Sequence, residues 1–264
     1  MIAVETHPTL AAAASALGPD AVFHGGGTLV MRALNYAEND WTRIVRTTDD
    51  AFRRIGVSGS RIEIGAGATM ADVLASRELE FLHVVARAVG GPAVRNQATV
   101  GGNLFAEHPY GDFAVSLLAL DARLGMAGGG EEALEAFLPN RAQFRGVVAT
   151  VSIARPGAGE FRWHKVTRVK PKGVSVMSIA AHLPGGSRLT SPRVAFGAMA
   201  DAPRRAPGVE RALEGASLTA DGIRPALEAL RSDFTPPDDA LASGWYRAEV
   251  APVHLRRLLL EGGR

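Results

Sequence analysis

Glycine, rather than an acid, a base or a nucleophile, is where this sequence concentrates its capacity for chemistry. Two short turns stand out, His24-Gly25-Gly26-Gly27-Thr28 and Thr99-Val100-Gly101-Gly102-Asn103. Each reads as following an apolar strand, and each offers backbone N–H groups under little side-chain cover. Glycine adopts positive φ without steric cost, and successive N–H groups held this way form a concave nest for phosphate oxygens. One such turn is an ordinary loop. Two in one domain suggest a ligand with two phosphates, or one phosphate and a long polar tail. A third glycine string, Ile64-Gly65-Ala66-Gly67-Ala68-Thr69-Met70, has methionine where a dinucleotide fingerprint needs its third glycine. Its preceding strand pairs in a hairpin, so it reads as a tight strand-to-helix turn. No glycine turn is followed by Lys-Ser or Lys-Thr, which excludes a Walker A loop.

The rest of the composition narrows the chemistry further. The 264 residues contain no cysteine, so disulfides, thiolate nucleophiles and cysteine-ligated metal or iron–sulfur sites are excluded from this chain. Any redox chemistry requires an organic cofactor. The 7 histidines do not cluster with carboxylates at metal-ligand spacings, so no metal site and no catalytic acid, base or nucleophile is assigned. A net charge of +2, with the arginines paired only at Arg53-Arg54, Arg204-Arg205 and Arg256-Arg257, argues against nucleic acid as a partner. No apolar run is long enough for a membrane span. The opening MIAVETHPTL lacks the pattern of a secretory signal, and a cytoplasmic protein is expected.

The elements that must position the two turns follow from periodicity and punctuation. Pro8 reads as the first position of an alanine-rich helix over 10–17, with Gly18 as its stop. Residues 21–24 read as a strand into the first turn, and 28–34 as a helix leaving it. Strands are expected over 43–46 and 52–57, and Ser58-Gly59 turns the chain into a hairpin with 61–65. Thr69 and Asp72 fit a cap opening a helix. A further helix covers 78–89, broken by Gly90-Gly91-Pro92, and residues 94–100 lead into the second turn. Asp112 opens an apolar helix through 119, and strands recur over 123–127 and 147–153. Beyond residue 160 the pattern changes. Three strands (161–169, 174–183, 193–199), separated by turn residues including Pro171, Gly173, Gly185 and Gly186, precede three helices (209–213, 223–230, 245–260). Strands followed by helices indicate a separate α+β lobe.

At the second turn the string Arg95-Asn96-Gln97-Ala98-Thr99-Val100-Gly101-Gly102-Asn103-Leu104, followed by Gly111-Asp112 and Leu117-Leu118-Ala119-Leu120-Asp121-Ala122, resembles a known family. It is similar to the FAD-binding medium subunits of the molybdenum hydroxylases, which include xanthine and carbon monoxide dehydrogenases. Further stretches carry the likeness: Phe161 to Lys165 with Arg168, Ser191 to Ala198, Pro203 to Ala206, Trp245-Tyr246-Arg247 and Leu255-Arg256-Arg257. The first turn departs from the family's Ala-Gly-Gly-Thr-Asp-Leu. With Leu29 aligned to the family leucine, Gly27 takes the threonine position, Thr28 the aspartate position, and His24 replaces alanine.

The resemblance implies an α+β fold: a two-subdomain FAD-binding domain over 1–160, then a small α+β C-terminal domain over 161–264 with a three-stranded antiparallel sheet and helices. It implies that both turns hold the FAD diphosphate and ribityl region, through His24, Gly25, Gly26, Gly27, Thr28 and Leu29 and through Thr99, Gly101, Gly102 and Asn103. Asp112 aligns with an acidic residue that contacts the cofactor; as a residue it reads equally as a helix N-cap. Lys165 aligns with a lysine near the flavin ring, where a cation would favour an anionic reduced flavin, and reads otherwise as a solvated edge-strand lysine. Val89 and Val148 align with apolar pocket residues, although their type favours core packing. As partners the resemblance implies a small subunit carrying 2Fe–2S clusters and a large subunit carrying a molybdenum–pterin cofactor, in a dimer of heterotrimers. Electrons would pass from the iron–sulfur subunit through FAD to an external acceptor. The competing expectations are a stand-alone flavin-dependent oxidase of related fold and a flavin-free assembly subunit.

Overall fold

In a computed structural model, which describes residues 2–169 and 173–262, the chain forms two compact units. Pro171 lies outside the described residues. The first unit comprises Met1–Ala106 and Arg123–Ile153, the second Glu107–Ala122 and Ala154–Arg264. The segment carrying Asp112 therefore groups with the C-terminal unit, although it precedes residue 160 in the chain.

The first unit opens with β1 (Ala3–His7), α1 (Leu10–Ser15), β2 (Ala21–Phe23), α2 (Val30–Asn35) and β3 (Arg43–Thr47). Both β1 and β2 pair parallel to β3. Thr9, not Pro8, is the N-cap of α1, its hydroxyl accepting from Ala12 N, so Pro8 lies outside the helix. A 3-10 turn over Asp50–Arg53 leads to the hairpin β4 (Ile55–Ser58) and β5 (Arg61–Gly65). Phe52 belongs to that turn rather than to the expected strand. The Asp49 carboxylate accepts from Ala51 N and holds the chain in a tight coil there.

Next come α3 (Met70–Ala75), α4 (His83–Ala88), α5 (Pro92–Arg95) and α6 (Val100–Phe105). Thr69 and Asp72 make the reciprocal capping box that their spacing implies. The segment before the second glycine turn is helical, not a strand, because Pro92 sits at the first helical position of α5. The chain leaves for α7 (Asp112–Ala119) and returns with β6 (Arg123–Met126), β7 (Glu131–Ala133), α8 (Leu134–Asn140) and β8 (Val148–Ala154). These complete a five-stranded sheet of order β4-β5-β8-β6-β7.

The second unit is built on β9 (Phe161–Thr167), β10 (Ser175–His182), β11 (Arg193–Gly197) and β12 (Arg204–Arg205). They form a four-stranded antiparallel sheet, not the expected three-stranded one. The added strand β12 is two residues long and lies between Pro203 and Pro207, so it carries no alternating pattern of its own. Three helices, α9 (Pro207–Leu213), α10 (Arg224–Asp233) and α11 (Gly244–Glu261), complete the unit.

Alternation along the strands sorts side chains onto the two faces of this sheet. Val166, Ile179, Val194 and Phe196 join Val209, Leu230, Leu255 and Leu258 in one core on the α9–α11 side. The other face takes α7, whose eight residues are all buried. Gly197 makes that approach possible, since a Cβ there would come within 2.8 Å of Val115 Cγ2.

Alternate residues of β9 on the helix side of the sheet, 162 and 164, accordingly both reach α11. His164 stacks on His254 of α11 with ring centroids 5.1 Å apart and its Nε2 3.1 Å from His254 Nδ1. Arg162 donates to the last-turn carbonyls of Leu258 and Leu259. Burial foremost, then the charges of His164 and Arg257, lower the His254 pKa from 6.5 to about 4. The folded chain thus keeps His254 neutral where the unfolded chain binds a proton, and stability rises with pH across that window. Lowering the pH from 6.5 towards 4 should reduce the urea midpoint, and His254→Gln should shallow the slope. A smaller slope should remain from His108 and His182, both lowered chiefly by burial. An identical pH profile in the variant would show that the pair does not contribute.

Candidate cofactor-binding site

The first unit brings both glycine turns together with the Gly65–Ala68 turn. Every amide of that third turn is committed: Gly65 N to Arg54 O, Ala66 N to Ala149 O, Gly67 N to Phe52 O and Ala68 N to Gly65 O. Its glycines answer to packing. A Cβ at Gly65 would lie 2.3 Å from Phe52 O, and one at Gly67 would lie 2.3 Å from the Phe52 ring. The reading of this string as a tight turn rather than a dinucleotide fingerprint agrees with that geometry.

The second turn is stitched onto the third. Val100 N donates to Ala68 O at 2.8 Å, Gly101 N to Ala66 O at 2.7 Å, and Met70 N returns to Ala98 O at 2.9 Å. Gly101 must be glycine, because a Cβ would stand 2.9 Å from both Ala66 O and Ala66 Cβ. Thr99 is the N-cap of α6, its hydroxyl accepting from Gly102 N at 3.0 Å, and Asn103 Nδ2 donates to Thr99 O at 2.9 Å. Thr99 and Asn103 are both buried. The amides of Val100, Gly101 and Gly102 are therefore spent inside the protein, and this turn is not the open nest its composition suggests. Capping at Thr99 is what closes it.

The first turn is open. Among the described residues, the amides of Gly25, Gly26, Gly27, Thr28 and Leu29 donate to no protein acceptor. The turn lies directly on the second one: a Cβ at Gly26 would fall 1.7 Å from Gln97 O, and one at Gly25 would fall 3.2 Å from Thr99 Oγ1. Gly27 has φ +82°, and a Cβ there would be 2.4 Å from His24 Nε2. A run of unpaired amides with no side chains on its glycines suits a phosphate-bearing cofactor. Of the apolar candidates, Val89 is half-buried at the end of α4, and Val148 is buried in β8.

Asp112 and Lys165 belong to the second unit and meet there. Lys165 Nζ lies 2.9 Å from Asp112 Oδ2, with side-chain exposures of 14% and 7%. Ser175 Oγ donates to Asp112 Oδ1 at 2.6 Å. Both bland readings are corrected: Gly111, in the left-handed region, is the N-cap of α7, and Lys165 is paired rather than solvated although β9 is an edge strand. His108 lies 2.9 Å from Asp239, which also receives Arg247 at 2.6 Å. The fully buried Arg247 guanidinium donates besides to the carbonyls of Val176, Pro237 and Ala242. Burial alone would raise the Asp239 pKa, but the amides of Ala242 and Leu241 and the Arg247 guanidinium outweigh it and lower it. Sequence reasoning missed Gln97, Ser175 and Asp239. Ser175 pairs with a residue 63 positions away, a separation with no local signal. Among the described residues no group of three or more His, Cys, Asp or Glu could hold a metal ion.

Similarity to known proteins gives the family of the chain. Residues 2–147 match the FAD binding domain in molybdopterin dehydrogenase, and residues 165–262 match the CO dehydrogenase flavoprotein C-terminal domain. The chain belongs to this family of FAD-binding oxidoreductase subunits. The glyceraldehyde dehydrogenase medium chain of Sulfolobus acidocaldarius is 27% identical over 243 residues, covering 87% of this chain and 85% of the relative. The carbon monoxide dehydrogenase medium chain of Hydrogenophaga pseudoflava is 24% identical over 260 residues, covering 92% and 89%. In fold, the chain is similar to the carbon monoxide dehydrogenase from Hydrogenophaga pseudoflava lacking the Mo-pyranopterin moiety, with TM-score 0.88 at 20% identity over 97% of this chain and 95% of that one. It is also similar to quinoline 2-oxidoreductase from Pseudomonas putida 86, with TM-score 0.83 at 20% identity over 99% and 96%.

Substitutions in each unit test the geometry. Gly26→Ala forces the two turns apart and should destabilise the chain by about 1–3 kcal/mol, whereas Gly25→Ala, whose Cβ would stand 3.2 Å from Thr99 Oγ1 and ask that hydroxyl to give by only a few tenths of an ångström, should cost less. Equal urea midpoints for the two variants would contradict the contact. Lys165→Met leaves Asp112 buried without its cation and should cost about 3–5 kcal/mol. Adding Asp112→Asn should recover much of that loss, and denaturation of the single and double variants measures it.

Proposed function

We propose that this chain is the electron-transfer flavoprotein subunit of a molybdenum hydroxylase. The observation that carries the reading is the first glycine turn, five unpaired amides held on the second turn, within a chain of this family. In this reading residues 1–160 form the FAD-binding domain and 161–264 the C-terminal domain. Gly25, Gly26, Gly27, Thr28 and Leu29 hold the diphosphate through their backbone. Thr99, Gly101, Gly102 and Asn103 set the floor on which that turn rests. Val89 and Val148 contribute apolar surface, and by the resemblance Asp112 contacts the cofactor and Lys165 lies near the flavin ring.

FAD held there would supply the redox chemistry, a relay of electrons between iron–sulfur centres and an external acceptor. The protein's part is to bind and orient the cofactor and to tune its environment. The absence of cysteine agrees with a division of labour in which 2Fe–2S clusters reside in a small subunit and the molybdenum–pterin cofactor in a large one. Two curated relatives are themselves medium chains, which supports a subunit over a stand-alone oxidase. We place the assembly, a dimer of heterotrimers, in the cytoplasm; among the described residues no helix is long and apolar enough to cross a membrane.

Purified protein should be yellow, release FAD on acid precipitation, and regain a flavin spectrum when FAD is added back. Co-expression with the neighbouring coding sequences should yield a complex with a cysteine-rich small subunit and a molybdenum-containing large one. A colourless chain that cannot be reconstituted would overturn the flavin reading. A yellow chain that never associates would favour the stand-alone oxidase.

A further inference from the structure

We infer that His24 is a side-chain donor to the cofactor diphosphate, and that Gly27 is glycine because it seats this imidazole. The inference rests on the FAD reading above. The His24 backbone is fixed at the end of β2, its N–H donating to Val45 O at 2.8 Å. Its side chain folds back over its own turn, so that Nε2 is 2.4 Å from where a Gly27 Cβ would be. Any side chain at position 27 would compete for the space the ring occupies. Gly27 also has φ +82°, a conformation that disfavours other residues there.

Among the described residues the imidazole makes no hydrogen bond or ion pair, although it is half-buried. The five amides of the same turn are also without partners. A half-buried ring nitrogen within a run of unpaired N–H groups adds a donor to an anion site. Two of the three departures of this chain from the family turn, those at positions 24 and 27, are thus one change. Gly27 gives up a side chain and the His24 imidazole takes its place.

FAD binding by the FAD-free full chain, followed by flavin fluorescence quenching, tests this, with ADP as a competing probe. His24→Ala should weaken FAD and ADP by the same factor, about tenfold or more for a lost hydrogen bond to a charged group. His24→Gln, which keeps a donor of similar reach, should restore part of the loss. Gly27→Ala should also weaken binding, and its effect should be smaller when His24→Ala is already present. Wild-type affinity in a folded His24→Ala chain would overturn the proposal. So would a loss confined to FAD, equal losses in the Ala and Gln variants, or strictly additive effects at positions 24 and 27. A wild-type chain that binds neither probe would instead overturn the flavin reading itself.

Discussion

Gly26 meets the Gln97 carbonyl so closely that nothing larger than a hydrogen atom fits between them. That contact joins segments more than seventy positions apart in the chain, and the rest of the cofactor site depends on it. The Gln97 carbonyl is fixed in turn by its neighbours toward α6. Val100 and Gly101 are hydrogen-bonded to Ala68 and Ala66; Ala66 is held in turn by Ala149, and Gly67 between them by Phe52. A rigid stack of three turns results, and only the outermost has amides to spare. Preorganisation of this kind matters for a polyanion, because donors already in place lose little entropy when the ligand arrives.

The second unit meets a different constraint, that of burying charge. Asp112 and Lys165 satisfy one another with Ser175 on the remaining carboxylate oxygen, and Arg247 distributes its donors over three carbonyls and Asp239. Buried pairs add little net stability over apolar packing, but breaking them is costly, so they select one arrangement over others. Here they tie α7 to β9 and β10, and α11 to the loop that precedes it. The sheet sorts these networks by face: neighbouring residues His164 and Lys165 reach α11 and α7 respectively. A one-residue slip of β9 would exchange them and strand both partners.

Local signals were legible where local physics decides. The capping box at Thr69 and Asp72, the hairpin at Ser58-Gly59 and the apolar run of α7 all follow from spacing alone. The α+β class and the family are carried by strings long enough to be specific. Other features rest on contacts that no window contains. The closure of the second turn depends on the carbonyls of Ala66 and Ala68, some thirty residues earlier in the chain. The fourth strand of the C-terminal sheet is two residues long and exists only because β11 offers it an edge. Asp112 is ambiguous for the same reason: an acidic residue at a helix start looks like a cap until a largely buried lysine from strand β9 claims it.

The two glycine turns look alike in sequence, yet glycine serves opposite ends in them. In the second, Gly101 removes a side chain so that backbone can meet backbone, and the amides are consumed in the meeting. In the first, Gly26 does the same work against Gln97, but its neighbours keep their amides open. A composition rule that scores both as phosphate nests therefore counts donors that one of them does not have. What separates them is the residue at the cap. Thr99 supplies an acceptor that turns Gly102 inward and begins a helix, whereas the corresponding start of the first turn is His24, whose ring lies over Gly27. Binding capacity in such turns follows from which amides the protein leaves unpaired, and glycine content is only the means of leaving them so.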